Sequence, residues 1–292
     1  METANLYPQI DIREWTAVGA GFNGTAYISE SHPGILLKIV RSELGKIECV
    51  RQEFLSAQKA YETGLPTPKV YEIVRDGEHY GYTSQIIEGK KSIARLCADN
   101  PGRIPEYAAV MARYGKQLHS TPIPADVQIT PVKARLEKAL ESSMVLSDKT
   151  RPELASLVWQ MPDPPTFLHG DFQVGNLILS PEGKHYWIDL GWLSTGFPML
   201  DIAHMYMMLV ENSNIPAVQG LTHMTRGQML AFWECFVKEY TGTEDVSAFN
   251  KSIAPYAALD IVLSSYNHPN DNPQFIAFFS SRVEQLLNHP GV

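Results

Sequence analysis

Cysteine is scarce in this chain: Cys49, Cys97 and Cys235 are the only three in 292 residues. They are far apart, odd in number and include no Cys-x-x-Cys pair, which argues against a disulfide framework and a thiolate zinc site. A basic block is also missing. Lys and Arg total 24 against 32 Asp and Glu, a formal net charge of −8. Phosphate backbones are held by clustered cations, so a general nucleic-acid binder is excluded from the expected classes. Long apolar runs are absent too. The most apolar stretches, Asp201–Val210 and Tyr256–Leu263, are short and interrupted by Asp201, His204 and Asp260, so no membrane span is expected. Met1–Ile10 has neither a basic start nor an apolar run; no secretory leader is expected, and a reducing, cytoplasmic setting is. No repeat or low-complexity tract breaks the pattern. What remains is ordinary globular composition, 44% hydrophobic and 19% charged, in a chain long enough for one large domain or two lobes.

The first ninety residues read as strands with one helix. Glu14–Val18 and Thr25–Ser29 flank a glycine-rich turn, and Ile35–Val40 is a compact apolar strand around Lys38. Leu44, Ile47, Val50, Phe54, Ala57 and Tyr61 recur at three- and four-residue steps, which predicts an amphipathic helix. Gly64 and Pro66 supply its stop. Val70–Val74 and Tyr80–Ile87 flank Asp76-Gly77, a hairpin signal. Beyond Gly89 the pattern turns helical, over Tyr107–His119, Val132–Leu146, Thr225–Tyr240, Ile253–Ser265 and Pro273–Leu287. A strand-and-loop insert, Thr166–Trp192, interrupts it, with Leu177–Leu179 and His185–Ile188 joined as a hairpin by Pro181-Glu182-Gly183-Lys184. The expected fold is α+β and two-lobed: a small β-rich lobe over residues 1–88 and a larger, mainly helical lobe over 89–292.

The decisive segment is His169-Gly170-Asp171-Phe172-Gln173-Val174-Gly175-Asn176, followed by Ile188-Asp189-Leu190-Gly191. Taken singly, Asp, Asn and Gly are turn formers. Taken together, the spacing carries chemistry. Phosphoryl transfer needs a carboxylate to orient the attacking hydroxyl, and oxygen ligands for a magnesium ion that offsets phosphate charge. Asp171 and Asn176 are five apart, the Asp-to-Asn offset of a kinase catalytic loop. Asp189 ends a predicted strand in an Asp-x-Gly triplet, where a second metal ligand belongs.

Gly19-Ala20-Gly21-Phe22-Asn23-Gly24 spells G-x-G-x-x-G. In a dinucleotide fold this motif opens a helix. Here the run Thr25-Ala26-Tyr27-Ile28-Ser29 follows and reads as strand. Strand–loop–strand is the kinase arrangement, in which backbone amides of Gly19, Gly21 and Gly24 cover nucleotide phosphates. Lys38, a lone cation in an apolar strand, is either solvated at an edge or aimed at an anion. With the Asp171 motif downstream, the phosphates of ATP or GTP are that anion. Such a lysine needs a helical carboxylate to position it; Glu53 is the expected partner and Glu48 its rival.

These motifs resemble those of the aminoglycoside phosphotransferase and choline kinase superfamily, small-molecule kinases related to protein kinases. The resemblance rests on His169–Asn176 with Leu177, on Ile188-Asp189-Leu190-Gly191, and on Gly196-x-Pro198-x-x-Asp201. Glu53, Gly64-Leu65-Pro66-Thr67-Pro68 and Gln117-Leu118-His119-Ser120 add to it. It spans roughly residues 15 to 210 and implies Asp171 as catalytic base, Asn176 and Asp189 as Mg2+ ligands, and Lys38 as phosphate contact. It also implies that the connector, through the backbone of Gln85 and Ile87, holds the nucleotide base. Protein kinases carry Arg at the position of Gly170 and Phe at that of Leu190, and an Ala-Pro-Glu follows; this chain departs at all three. A small-molecule acceptor is therefore expected, with a protein kinase or an inactive nucleotide-binding relative as the alternatives. His119, His169 and Asp201 are expected to be structural: His169 fixing the catalytic loop, Asp201 tying down the segment after Asp189.

The acceptor itself is not legible. Residues 201–292 hold nine Asp or Glu against four Lys or Arg, which suits a cationic acceptor and an acidic surface equally. Trp192, Tyr206, Trp233, Tyr256 and Tyr266 fit either a cation–π cage or a helical core.

Overall fold

Residues 6–20, 24–40 and 47–288 are described by the computed structural model. Leu44, the first apolar position of the predicted helix, and Gly21 of the glycine motif lie outside the described residues. The chain divides into two units, residues 1–91 with 178–192, and residues 92–177 with 193–292.

The first unit is built on five strands, β1 (Thr16–Ala20), β2 (Gly24–Ile28), β3 (Ile35–Val40), β4 (Val70–Asp76) and β5 (His79–Gln85), in the order β1-β2-β3-β5-β4. Every neighbouring pair is antiparallel. Alternation along β3 sorts its side chains by face. Leu37 packs with Trp15 and Val74, while Val40 packs with Val50 and Tyr82. Lys38 shares the parity of Val40 and pairs in register with Ala26 and Tyr82. Helix α1 (Ile47–Glu62) buries Val50, Glu53, Ala57 and Ala60, the three- and four-residue stripe the sequence predicts. It stops at Gly64, which takes φ 84°, a conformation glycine adopts without strain. The first strand begins two residues later than predicted. Ile12–Glu14 instead form a 3-10 turn, because the Asp11 side chain accepts the Arg13 amide and caps it.

The hairpin of Leu177–Leu179 and His185–Trp187 leads into a 3-10 turn at Leu190–Trp192. The Trp187 amide donates to the Pro66 carbonyl (2.7 Å), and α1 packs on the Leu190–Trp192 turn. This returning segment thus belongs with the sheet. A single cut at residue 88 cannot express a return of the chain.

The second unit is helical: α2 (Ile93–Asp99), α3 (Ile104–Ser120), α4 (Val132–Ser142), α5 (Thr150–Gln160), α6 (Met199–Tyr206), α7 (Pro216–Thr222), α8 (Arg226–Thr241), α9 (Val246–Asn267) and α10 (Pro273–Asn288). A short antiparallel pair joins Phe167–Leu168, just before His169, to Ser194–Thr195. Helices α3 and α8 pack together, as do α6 and α9. Local signals explain several ends. Thr225 and Gln228 form a capping box at the start of α8, and Gly242 closes it in the left-handed region. Asp245 caps α9 by accepting the Ala248 amide (2.8 Å).

Two predicted boundaries move. Helix α4 ends at Ser142 rather than Leu146, because Ser143 turns extended and the Arg151 guanidinium takes the carbonyls of Leu140 and Ser143, groups a helix end leaves unpaired. Helix α9 starts seven residues before Ile253 and carries Pro255 within it. Helix α6 escapes a periodic reading because it is buried nearly all round, with Leu200, Asp201, Ile202, Ala203, Met205 and Tyr206 all inside. It continues as a π-helical turn, Met207–Glu211. Among the described residues, no helix is long and apolar enough to cross a membrane.

Candidate active site

In the first unit, Lys38 is the centre of a charged cluster. Its Nζ lies 2.6 Å from Glu53 Oε1 and 2.7 Å from Asp189 Oδ1. Glu53 also accepts the Tyr82 hydroxyl (2.9 Å), and is nearly buried. The rival Glu48 is exposed, since it sits on the outer face of α1 and five residues earlier. Burial opposes the Lys38 charge, but Tyr82, Asp189 and Glu53 around it outweigh that and hold its pKa well above the ordinary lysine value. Asp189 takes φ 58°, rare for a residue with a Cβ and a form of strain that collects at functional sites. Tyr82 was not singled out by the sequence; the matching register of Lys38 and Tyr82 on adjacent strands is the signal.

The strands that carry the two ends of the glycine motif, β1 with Gly19 and β2 with Gly24, pair antiparallel. Gly24 has a packing reason of its own, because a Cβ there would meet the Ile39 carbonyl oxygen at 2.4 Å. Gly19 has open space at the same position. In the connector, the Gln85 amide donates to Lys69 O (2.7 Å) and the Ile86 amide to Gly34 O (3.0 Å). Ile87, the next residue, has its side chain buried.

In the second unit, the segment His169–Asn176 is fastened by Asp201. Asp201, on α6, accepts the backbone amides of His169 (2.7 Å) and Gly170 (2.9 Å) and the His119 ring (2.9 Å). It therefore ties down the loop before Asp171 rather than the segment after Asp189. Gly170 turns through φ 77°, so the loop needs a glycine where protein kinases have Arg. His119 spans Asp201 and the Tyr240 hydroxyl (2.7 Å), a structural part as expected. His169 is wholly buried, and its Nδ1 accepts the Asp171 amide (3.3 Å).

Both oxygens of Asp171 have fixed donors. Asn176 Nδ2 reaches Oδ2 at 2.8 Å and His204 Nε2 reaches Oδ1 at 3.0 Å. Burial would raise the Asp171 pKa, but His204, His169 and Asn176 lower it to about 2. His204 in turn meets Asp260 through Nδ1 (3.0 Å). Neither His204 nor Asp260 was read as functional. Each interrupts an apolar stretch, Asp201–Val210 or Tyr256–Leu263, and His204 lies one helical turn after Asp201; those were the available signals. Of the aromatic residues, Tyr206 and Trp233 are buried core, tilted against each other, with Trp233 stacked on Phe236.

The phosphotransferase enzyme family (APH) matches residues 14–233. That is well over half of the chain. The chain belongs to this family. No curated protein sequence matches it. Among solved structures, the phosphotransferase is similar to aminoglycoside phosphotransferase APH(3'')-Id from Streptomyces rimosus, with 17% identity, 86% of this chain and 91% of that one covered, and a TM-score of 0.54. It is similar to the choline kinase LicA from Streptococcus pneumoniae, with 16% identity, 92% and 91% covered, and a TM-score of 0.53. It is also similar to a thermostable mutant of APH(4)-Ia in ternary complex with ADP and hygromycin B, with 13% identity, 94% and 92% covered, and a TM-score of 0.61. At these identities the likeness is one of fold: a β-sheet N-terminal region and a helical C-terminal region, as in kinases.

The oxygens of the phosphotransferase suit a hard cation. Asn176 commits its amide nitrogen to Asp171, leaving its carbonyl oxygen as the donor for a metal. Asp189 is half-exposed and commits Oδ1 to Lys38, leaving Oδ2. Among the described residues, no group of three or more His, Cys, Asp or Glu gathers into a metal site.

Proposed function

We propose that this phosphotransferase moves the γ-phosphoryl group of ATP or GTP to a hydroxyl group of a small molecule. The observation that carries the reading is the Lys38 ammonium, buried, charged and held between Glu53 and Asp189. A strand lysine fixed by a helical Glu is how kinases hold nucleotide phosphates. Lys38 binds the α- and β-phosphates, Glu53 orients it, and the backbone of Gly19 and Gly24 lies along them. The connector holds the base through backbone groups; with the Gln85 amide already bonded, the Gln85 carbonyl and the Ile87 amide are the groups it offers. Asn176 and Asp189 would hold Mg2+, which supplies positive charge against the phosphate oxygens. Asp171 orients the acceptor hydroxyl. As the acceptor oxygen bonds to the γ-phosphorus and the bridging β–γ bond breaks, Asp171 takes the hydroxyl proton and releases it to solvent.

The acceptor class is an amino alcohol or amino sugar. Asp171 and Asp260 flank His204 with partly buried carboxylates, and the chain from 201 to 292 is acidic. The similar structures are named for aminoglycosides and for choline, both hydroxylated cations. The test is a melting-temperature comparison with Mg-ATP and Mg-GTP, followed by a screen of hydroxylated amines for ADP or GDP release. Stabilisation by at least one nucleotide and acceptor-dependent release are expected. No stabilisation by either nucleotide at millimolar concentration would sink the reading.

A further inference from the structure

His204 joins two carboxylates. Its Nε2 lies 3.0 Å from Asp171 Oδ1 and its Nδ1 3.0 Å from Asp260 Oδ1. A neutral imidazole has one donor nitrogen and one acceptor nitrogen, whereas an ionised carboxylate only accepts. A neutral ring would set a nitrogen lone pair against a carboxylate lone pair at one of these contacts. Both contacts are satisfied together when both ring nitrogens carry protons. We propose that His204 is an imidazolium clamp that positions the base Asp171, anchored to helix α9 through Asp260. The proposal rests on the assignment of Asp171 as base.

The electrostatics agree with the geometry. Burial opposes charge on His204, but Asp260 and Asp171 outweigh it and hold the ring well above the ordinary histidine value. These two carboxylates face the ring from α9 and from the catalytic loop. Behind Asp171 stand His169 and Asn176. His268, after the end of α9, also feels Asp171, although burial lowers its own pKa.

The clamp has a definite consequence for Asp171. Asn176 holds one carboxylate oxygen and His204 the other, so the carboxylate plane is fixed and each oxygen keeps one lone pair for the acceptor hydroxyl. His204 already carries both protons and cannot take a third. The hydroxyl proton therefore rests on Asp171 and leaves from there; there is no relay through His204 to Asp260. Because His204 sits on α6 and Asp260 on α9, the two packed helices, and not the catalytic loop alone, set the orientation of the base.

The test reads the imidazole directly. Protein labelled with 15N-histidine is followed by nitrogen-detected correlation spectra across pH, with His204→Gln identifying the signal. The wild type is expected to show His204 protonated on both nitrogens at about pH 7.5. Asp260→Asn should move its titration by at least about one unit, tenfold in proton affinity, toward an ordinary histidine. A single-proton tautomer in the wild type at that pH overturns the proposal. So does a titration that Asp260→Asn leaves unmoved. A second reading uses water as acceptor, in the slow release of phosphate from Mg-ATP and Mg-GTP. His204→Gln should lower kcat roughly 10–100-fold and leave the nucleotide KM within about twofold, and imidazole added to His204→Gly should restore part of the rate. Equal loss in kcat and in melting temperature, without rescue, would make His204 a scaffold residue and overturn the positioning role. Nucleotide binding distinguishes the two levels: a wild type that fails to bind Mg-nucleotide refutes the phosphotransfer reading, whatever the state of His204.

Discussion

Lys38 Nζ and Asp189 Oδ1 are 2.7 Å apart although 151 residues separate them in the chain. Neither β3 nor the Asp-Leu-Gly turn explains the other locally; the hairpin that precedes Asp189 and the packing of α1 on Leu190–Trp192 bring them together. Lys38→Met removes the shared cation. It leaves Glu53 nearly buried with the Tyr82 hydroxyl donating to it. Breaking a buried pair from one side costs about 3 kcal/mol, less what water recovers. Urea denaturation should show that loss, and Lys38→Met with Glu53→Gln together should cost less than the sum of the two. Additive losses would mean that the pair does not act as a unit.

The two ends of the glycine motif separate packing from ligand contact. Gly24→Ala would force a Cβ to 2.4 Å from a backbone carbonyl of β3, which a strand pair relieves only by moving apart. A loss of about 1–3 kcal/mol is expected. Gly19→Ala meets nothing within 4 Å and should stay within about 0.5 kcal/mol of wild type. Its effect on Mg-nucleotide affinity, measured by calorimetry, therefore reports on the loop and not on the fold. Unchanged affinity in Gly19→Ala would remove that residue from the nucleotide site.

Stability should depend on pH from both ends. Asp171 is lowered to about 2 and Asp201 is lowered, so their contributions are present above the unfolded carboxylate value of about 3.9 and are lost as pH falls through the native values. For Asp171 the shift corresponds to about 2 kcal/mol. His204 is raised, so its contribution is complete below about pH 6.5, the unfolded value, and is lost as pH rises through the raised native value. The stability difference between wild type and Asp260→Asn should accordingly be largest between about pH 5 and 6.5, above the carboxylate range, and shrink as pH rises into alkali. Urea midpoints from acid to alkaline pH measure it; a difference that grows with alkalinity would contradict the charged imidazole.

The legible part of this protein was the part written in short spacings. Asp171 to Asn176, the strand around Lys38 and the stripe of α1 each fit within one element or one loop, and the turn chemistry between them is local. The contact of His204 with Asp260 spans 56 residues, and no spacing rule reaches that far. It depends on how α6 packs against α9. The end of α4 was lost for the same reason, since Arg151 of the next helix takes its carbonyls. Asp201 was recognised as structural, but the loop it holds was not, because two of its three partners are backbone amides, which leave no mark on the sequence.

The roles of the two aspartates can be separated by one pair of substitutions. Asp171→Asn keeps the shape and can still meet Asn176 or His204, but it removes the charge and the proton acceptor. Turnover with the true acceptor should fall by roughly 10²–10⁴, with Mg-nucleotide affinity near wild type. Asp189→Asn removes a charged oxygen from a hard cation. Asn is among the few side chains that tolerate the left-handed backbone, so the φ of 58° at this position should be kept and the turn preserved. What is lost is the charge shared between Lys38 and a metal. Mg-dependent nucleotide binding should weaken along with turnover, and higher magnesium should recover part of it. Melting without ligand checks that both variants remain folded. Normal turnover in Asp171→Asn would end its assignment as base. Wild-type binding of Mg-nucleotide in Asp189→Asn would leave the Asp-Leu-Gly turn with an ion pair to Lys38 and no metal.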